Sequence, residues 1–293
     1  MHTYQIHSPY TPPREFLLKL NNSPKYEKLE AVNYNDPAKT YFPVDEELKH
    51  SLKELYRAEI LAFDSYFGDF IEQLKAMNLY DNSMIVFMSD HGEEFFEHRG
   101  WAHSHGLYQE QIHVPIAVKF PNSSFSGREI NDVVGVIDIM PTILGYYRID
   151  PGTVEIDGRS LMPLIEKNRV RSPNYIVSTI STGRYFDAIQ PKIAILFDQY
   201  KLIYNQPFRP VDLEFFKKYT LPPETPEFEL YNLSDDPLET ANIFGHRPEI
   251  IKKIMPVIIE ISRRIKQKTA AGDSDNRPLD KEVEDQLKSL GYL

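Results

Sequence analysis

The chain has 293 residues, 41% apolar, 26% charged and 12% aromatic, which is enough to bury a core in one large or two modest domains. No run reaches the ~18 to 20 consecutive apolar residues of a membrane-spanning helix and nothing repeats at a fixed period, which excludes transmembrane helices and solenoids. With 33 basic against 43 acidic residues the formal charge is −10, which argues against a nucleic-acid partner, and the absence of cysteine excludes disulfides, thiolate metal ligands and a cysteine nucleophile within these residues.

The opening segment, His2 to Pro13, has neither the basic start nor the apolar centre of a secretory signal, and the sequence assigns no compartment. From Glu46 to Asn78, Leu52, Tyr56, Ile60, Phe63, Phe67, Ile71 and Leu74 recur every three or four residues, which predicts a long helix with that face buried. Met84 to Met88 is a continuous apolar run of strand length. Its lack of alternation predicts burial on both faces, as in a parallel sheet.

Pro115 to Lys119 and Asp132 to Val136 read as further short strands, and Ile139 to Tyr147 as a helix beginning near Pro141. Beyond residue 170 the pattern changes. Tyr175 to Ile180, Lys192 to Phe197 and Tyr200 to Tyr204 read as strands, the last two joined by a tight hairpin at Asp198-Gln199, and Phe228 to Asn232 adds a fourth. Pro248 to Lys266 reads as an amphipathic helix with Ile250, Ile254, Val257, Ile258 and Ile261 on one side, and Ala271 to Glu284 as a polar tail. The expected organisation is an α/β domain over 1–169 and a smaller subdomain over 170–293.

The chemistry concentrates in one stretch. Five of the nine histidines, His91, His98, His103, His105 and His113, fall within 23 residues. Directly after the apolar strand, Ser89-Asp90-His91-Gly92-Glu93 places a carboxylate and an imidazole at the strand's C-terminal end, where α/β sheets put their ligands. Asp and neutral His both ligate divalent metals, and Gly92 permits close backbone approach. By composition alone the same residues suit a strand-end turn with a capping aspartate. Glu93 and Glu94 read as acids at a helix start.

The wider string is more specific. Ser89-Asp90-His91-Gly92-Glu93, His103, His105, Leu107-Tyr108, Glu110 and His113-Val114-Pro115 resemble the second half of the catalytic domain of the sulfatases, in the alkaline-phosphatase-like superfamily. His7-Ser8-Pro9-Tyr10 resembles that family's His-x-Pro-Tyr loop. Asp138 to Leu144 resembles its D-x-x-P-T-x-L helix start, and Asp157 to Leu161 its G-x-S-L turn. Glu229 to Leu233 with Asp236-Pro237, Glu239 and Asn242 resemble the ELYDL…DP…E…N stretch of the C-terminal subdomain, and Leu290 to Leu293 a natural C-terminus.

The resemblance implies a mostly parallel sheet sandwiched by helices, incomplete here, with a small C-terminal antiparallel sheet and a packed helix. It implies a sulfuric ester hydrolase acting on a small sulfated sugar or aryl sulfate, with His7 and His103 catalytic, His105 contacting substrate, and Asp90 and His91 on a divalent metal. Ca2+ follows from the resemblance, while His91 also suits Zn2+ or Mn2+. The family's Cys/Ser-x-Pro-x-Arg motif, whose Cys or Ser becomes formylglycine, has no counterpart in these residues, and neither has the acidic pair that completes the metal shell. The expectation is therefore a C-terminal portion, inactive alone, with formylglycine on a preceding segment. Two alternatives stay open: a phosphodiesterase or phosphoethanolamine transferase of the same superfamily, and an inactive or partner-binding remnant.

Overall fold

The computed structural model describes residues 3–20, 45–166, 175–180, 190–207 and 225–272. In chain order the elements of the first half are α1 (Arg14–Lys19), α2 (Glu46–Ala76), β1 (Ile85–Met88), β2 (Glu94–Phe95), β3 (Trp101–Ala102), α3 (Gln109–Ile112), β4 (Ile116–Lys119), α4 (Ile139–Tyr147) and α5 (Met162–Ile165). Then follow β5 (Tyr175–Ile180), β6 (Lys192–Phe197), β7 (Tyr200–Asn205), β8 (Phe228–Asn232) and α6 (Pro248–Gly272). The chain divides into two units, one of Met1–His103, His113–Ile130 and Val136–Arg169, the other of Ser104–Ile112, Asn131–Gly135 and Val170–Leu293.

In the first unit, α2 starts at Asp45, whose side chain accepts from the Leu48 amide at 2.7 Å, and acidic Glu46 and Glu47 occupy its positive end. It stops after Ala76, where Asn78 takes a positive φ of 56°. Its most deeply buried face is rotated from the expected stripe: of that stripe Leu52 is buried, Tyr56, Phe63, Phe67, Ile71 and Leu74 are half-buried and Ile60 is 39% exposed, while Leu55, Ala58, Glu59 and Ala62 beside it are buried. Leu52 and Leu55 pack with Tyr10, Phe95, Phe96 and Trp101, while Ala58 and Ala62 receive Phe16 of α1. The small alanines let α1 lie close to α2. Further along, Phe63 and Phe67 meet Phe87 of β1 at ring separations of 6.0 and 5.4 Å.

β1 pairs with β4 from Ile85 opposite Lys119 to Met88 opposite Ile116, and the pairing is antiparallel. Every strand pair among the described residues is antiparallel, so the mostly parallel sheet expected from the apolar run is absent among them. The run reported hydrophobicity, which carries no information about strand direction. β1 is half-buried rather than covered on both faces. Asp132 to Gly135 forms no strand, and the expected strand there is a loop continued by a 3₁₀ turn over Val136–Asp138.

α4 matches its expected span, and two sequence motifs meet at its start. The buried Asp138 accepts from the Arg159 amide at 2.9 Å, and the Thr142 hydroxyl accepts from the Leu161 amide at 2.8 Å. Gly158 lies between them because a Cβ there would come within 2.0 Å of the Ile137 carbonyl oxygen. The D-x-x-P-T and G-x-S-L segments are thus two halves of one staple.

The second unit is built on the sheet β5-β6-β7-β8, antiparallel throughout. Its hairpin turns at Asp198, whose φ of 51° suits a tight two-residue connection. Ile250, Ile254 and Ile258 of α6 cover Ile193, Ile195, Leu202 and Leu230 on one face of the sheet. Ala194, Ile203 and Tyr231 on the other face pack against Leu107 and Tyr108. α6 runs to Gly272, beyond the expected Lys266, and the rest of the expected polar tail and Leu290 to Leu293 lie outside the described residues. The expected boundary at residue 170 also falls outside them. No helix among the described residues is long and apolar enough to cross a membrane.

Candidate active site

The strand β1 ends at Met88 and releases the chain into a turn fixed by its own polar groups. The Ser89 hydroxyl donates to the His91 carbonyl at 2.6 Å, and the His91 amide donates to Asp90 Oδ1 at 3.0 Å. His91 Nδ1 donates to the Gly92 carbonyl at 2.8 Å. A carbonyl can only accept, so in the neutral ring the proton sits on Nδ1 and Nε2 is the basic nitrogen. That nitrogen lies 3.8 Å from Asp90 Oδ1.

The next residues do not begin a helix, as the Glu93-Glu94 pair had suggested. They enter the β2-β3 hairpin, whose loop winds around the buried Glu94: its Oε1 accepts from the His98 amide at 3.0 Å and the Gly100 amide at 2.6 Å. Phe96 and Arg99 take positive φ values of 65° and 72°. The hairpin returns the chain through the buried Trp101 to His103, opposite the turn it left.

There His103 stacks on His91 with ring centroids 3.9 Å apart, and meets the edge of His7 at 5.4 Å. Glu93 holds this group together. Its Oε1 accepts from His103 Nδ1 at 2.8 Å and its Oε2 accepts from the Tyr10 hydroxyl at 2.5 Å. His7 Nδ1 donates to the Ser8 carbonyl at 2.6 Å. All three imidazoles therefore anchor Nδ1 on an acceptor oxygen and keep Nε2 as the basic nitrogen of the neutral ring. His7, Asp90, His91 and His103, spread over 96 positions of sequence, come together in one unit.

His105 does not join them among the described contacts. It belongs to the second unit, is buried, and its Nε2 lies 3.1 Å from the Gln111 side-chain nitrogen. Around it the segment from Leu107 to Gln109 is held on the sheet. The fully buried Lys201 donates to the Leu107 carbonyl at 2.9 Å and pairs with Glu239 at 2.5 Å, and Glu239 accepts from the Gln109 amide at 2.6 Å. Burial pushes the Lys201 ammonium below its ordinary range and the Glu239 carboxyl above its own, while each partner works against the other's shift. Glu229 accepts from Tyr108, Tyr231 and Asn205. Burial first, and then Glu229, by its charge at Tyr108 and by its hydrogen bond at Tyr231, push both phenols far up, so they remain protonated donors.

Glu93 and Tyr10 are the members that sequence reasoning left without a role, Glu93 being read as a helix-start acid and Tyr10 only as part of the His-x-Pro-Tyr loop. The buried Glu93 and the buried Tyr10 bind each other 83 positions apart. His98 and Arg99 lie in the hairpin loop, His98 half-buried and Arg99 exposed, and His113 is exposed.

The donor set bears on a divalent ion. Asp90 supplies a carboxylate with 64% of its side chain exposed, and His91 supplies an Nε2 whose ring is oriented through Nδ1 on a carbonyl, the arrangement found behind metal-bound histidines. These two residues fit as ligands. Among the described residues no group of three or more His, Asp or Glu that could hold a metal is assembled.

Comparison with known proteins decides the family. A sulfatase family profile matches residues 1–149, just over half of the chain. The chain belongs to the sulfatase family. A second profile, for the C-terminal region of N-sulphoglucosamine sulphohydrolase, matches residues 97–270 of the chain. An N-acetylglucosamine-6-O-sulfatase of Bacteroides thetaiotaomicron is 26% identical over 231 residues, covering 78% of the chain and 37% of that protein. Arylsulfatase K of Xenopus laevis is 26% identical over 240 residues, covering 79% and 42%. The chain thus spans less than half the length of these relatives. A structure solved in complex with its substrate D-glucosamine-2-N,6-O-disulfate superposes with a TM-score of 0.55 at 19% identity, over 92% of this chain and 55% of that one. The fold is that of the alkaline-phosphatase-like sulfatases.

Proposed function

We propose that this sulfatase chain carries the half of a sulfate ester hydrolase site that receives the leaving group and part of the metal. The observation that carries the reading is the meeting of His7, His103 and His91 beside Asp90, with His103 fixed by Glu93. A departing alcohol needs a proton, which a histidine gives from Nε2 only in its imidazolium form, and a ring locked through Nδ1 directs that Nε2 proton with little reorganisation. In this reading His103 and His7 flank the ester oxygen and Asp90 and His91 are metal ligands. When bound, a divalent cation supplies charge neutralisation at the sulfate oxygens. His105, held in the second unit, keeps its substrate-contacting role only as an expectation of the resemblance.

The substrate class is a sulfated amino sugar or a related sulfated saccharide, supported by the name of the Bacteroides relative and the ligand of the superposed structure. Residues 1–169 are proposed as the catalytic portion and 170–293 as the C-terminal subdomain. Ca2+ is the proposed ion, and a formylglycine on a segment outside these residues the proposed nucleophile. The test is reconstitution: the chain co-expressed with a nucleophile-bearing sulfatase segment and assayed for sulfate release from a 6-O-sulfated glucosamine. Release that is lost in Asp90→Ala and His103→Ala supports the proposal. A folded, metal-loaded complex without release refutes it.

A further inference from the structure

We propose that Glu59 is a positioning residue that sets His7 opposite His103 by binding both ends of the loop that carries it. The loop from Gln5 to Thr11 contains His7, Ser8, Pro9 and Tyr10. Glu59 projects from α2 beneath it and is 2% exposed. Its Oε2 accepts from the Gln5 side-chain amide at 2.5 Å, and its Oε1 accepts from the Thr11 backbone amide at 2.7 Å. One carboxylate therefore spans the loop, with one oxygen on each end and His7 between them.

The location is unexpected for a charge. Glu59 sits between Leu55, Ala58 and Ala62 on the buried face of the helix, where an apolar side chain would satisfy packing. A buried carboxylate is strongly unfavourable unless hydrogen bonds replace its water, and both described hydrogen bonds to Glu59 come from this loop. The loop's third anchor is Tyr10, which donates to Glu93, and Glu93 binds His103 with its other oxygen. Two glutamates from separate segments thus fix the two histidine-bearing segments, Glu59 bracing the His7 loop and Glu93 joining that loop to His103. Inside the loop, the His7 amide donates to the Tyr4 carbonyl at 3.0 Å, so movement at Gln5 is passed to the imidazole through a short stretch of backbone.

That His7 takes part in chemistry rests on the function proposed above; the bracing does not, and its test uses the 293-residue chain without an assay. With histidine-selective labelling, a nuclear Overhauser contact between the His7 and His103 rings reports their juxtaposition, and hydrogen exchange at the Thr11 amide reports the brace. Glu59→Ala removes both bonds: the ring contact is lost and Thr11 exchange rises by about tenfold or more, with the second unit's methyl spectrum unchanged. Glu59→Gln can accept from Thr11 and donate to a flipped Gln5 amide, so it retains both signals. Retention of the ring contact in folded Glu59→Ala overturns the proposal, and so does its loss in Glu59→Gln. If Glu59→Ala does not fold, Gln5→Ala decides, because it removes one strut and keeps Glu59 on the Thr11 amide: a weakened ring contact supports the brace, an unchanged one overturns it. A reconstituted enzyme that stays active as His7→Ala would refute the role of His7 and leave the bracing result intact.

Discussion

Glu93 lies 2.8 Å from His103, ten positions away in sequence, and its second oxygen is occupied by Tyr10 from the opposite side. The carboxylate can rotate toward neither partner without releasing the other, so the imidazole orientation is doubly determined.

The first prediction follows from that bond. In the reconstituted enzyme, Glu93→Ala frees His103 to rotate, and kcat falls by about 10- to 100-fold, the range seen when an outer-shell partner of a functional imidazole is removed. KM moves less, because the variant loses orientation and not a substrate contact. Unchanged kcat in a folded Glu93→Ala enzyme would remove His103 from the proposed mechanism.

The isolated chain is predicted to release no sulfate. These residues contain no cysteine and no Ser-x-Pro-x-Arg, and oriented histidines do not replace the bond-making group. Turnover of an aryl sulfate by the purified 293-residue chain, at a rate abolished by Asp90→Ala, would reveal a different nucleophile.

The buried Lys201-Glu239 pair predicts strong asymmetry between single and double substitution. Lys201→Met or Glu239→Leu alone strands a charge or leaves polar groups unsatisfied in the sheet's interior, at a cost of about 3–5 kcal/mol for the broken pair. Lys201→Met combined with Glu239→Leu is expected to recover much of it. Denaturant unfolding of the two singles and the double measures the coupling, and simple additivity would contradict a stabilising pair.

Gly158→Ala places a methyl against the Ile137 carbonyl, where only backbone movement can relieve the clash. A loss of about 1–3 kcal/mol is expected from the overpacking. The denaturation midpoint of the first unit checks it, and an unchanged midpoint would mean that the Asp138 staple is looser than its hydrogen bonds indicate.

Glu59 gives stability a pH dependence of defined sign. Burial raises its native pKa above the ordinary value of 4.5, while the bonds from Gln5 and Thr11 oppose the shift. The native state therefore binds the proton more tightly than the unfolded chain, so this contribution is fully present below about 4.5 and is lost as pH rises through the native pKa. Relative to Glu59→Gln, the wild type gains stability as pH falls through that window. A gap between the two proteins that is constant with pH would assign Glu59 an unshifted carboxyl.

The sequence made the second unit legible because each strand is a short apolar and aromatic run, and the middle two are joined by a tight turn at Asp198-Gln199. β5, β6 and β8 begin and end with those runs, and β7 runs one residue past the expected Tyr204, to Asn205. Asp132 to Gly135 misled because Val133 and Val134 supply strand-like composition, while pairing depends on a partner that local sequence does not contain. In α2 the aromatic stripe was periodic, yet burial followed the adjacent stripe of alanines and glutamates, where α1 and the His7 loop approach. A glutamate at a core-facing helical position was the readable signal of a buried polar contact. His91 and His103 were found because their clustering is local and His7 through the resemblance of its loop, whereas Glu93 was hidden because its partners Tyr10 and His103 become neighbours only when the hairpin and the N-terminal loop fold together.

Trp101 is the single tryptophan of the chain, 1% exposed, with Phe96 stacked at 5.5 Å, Phe95 edge-on at 5.3 Å and Tyr10 at 6.2 Å. Native indole emission therefore originates from one dry location, two residues before His103 and in contact with the tyrosine that binds Glu93. Burial predicts a blue-shifted spectrum shielded from aqueous quenchers while that corner is closed. A red shift at denaturant levels that leave the far-ultraviolet signal of the second unit intact would mark local opening of the hairpin, giving a built-in optical gauge of whether the histidine cluster is assembled.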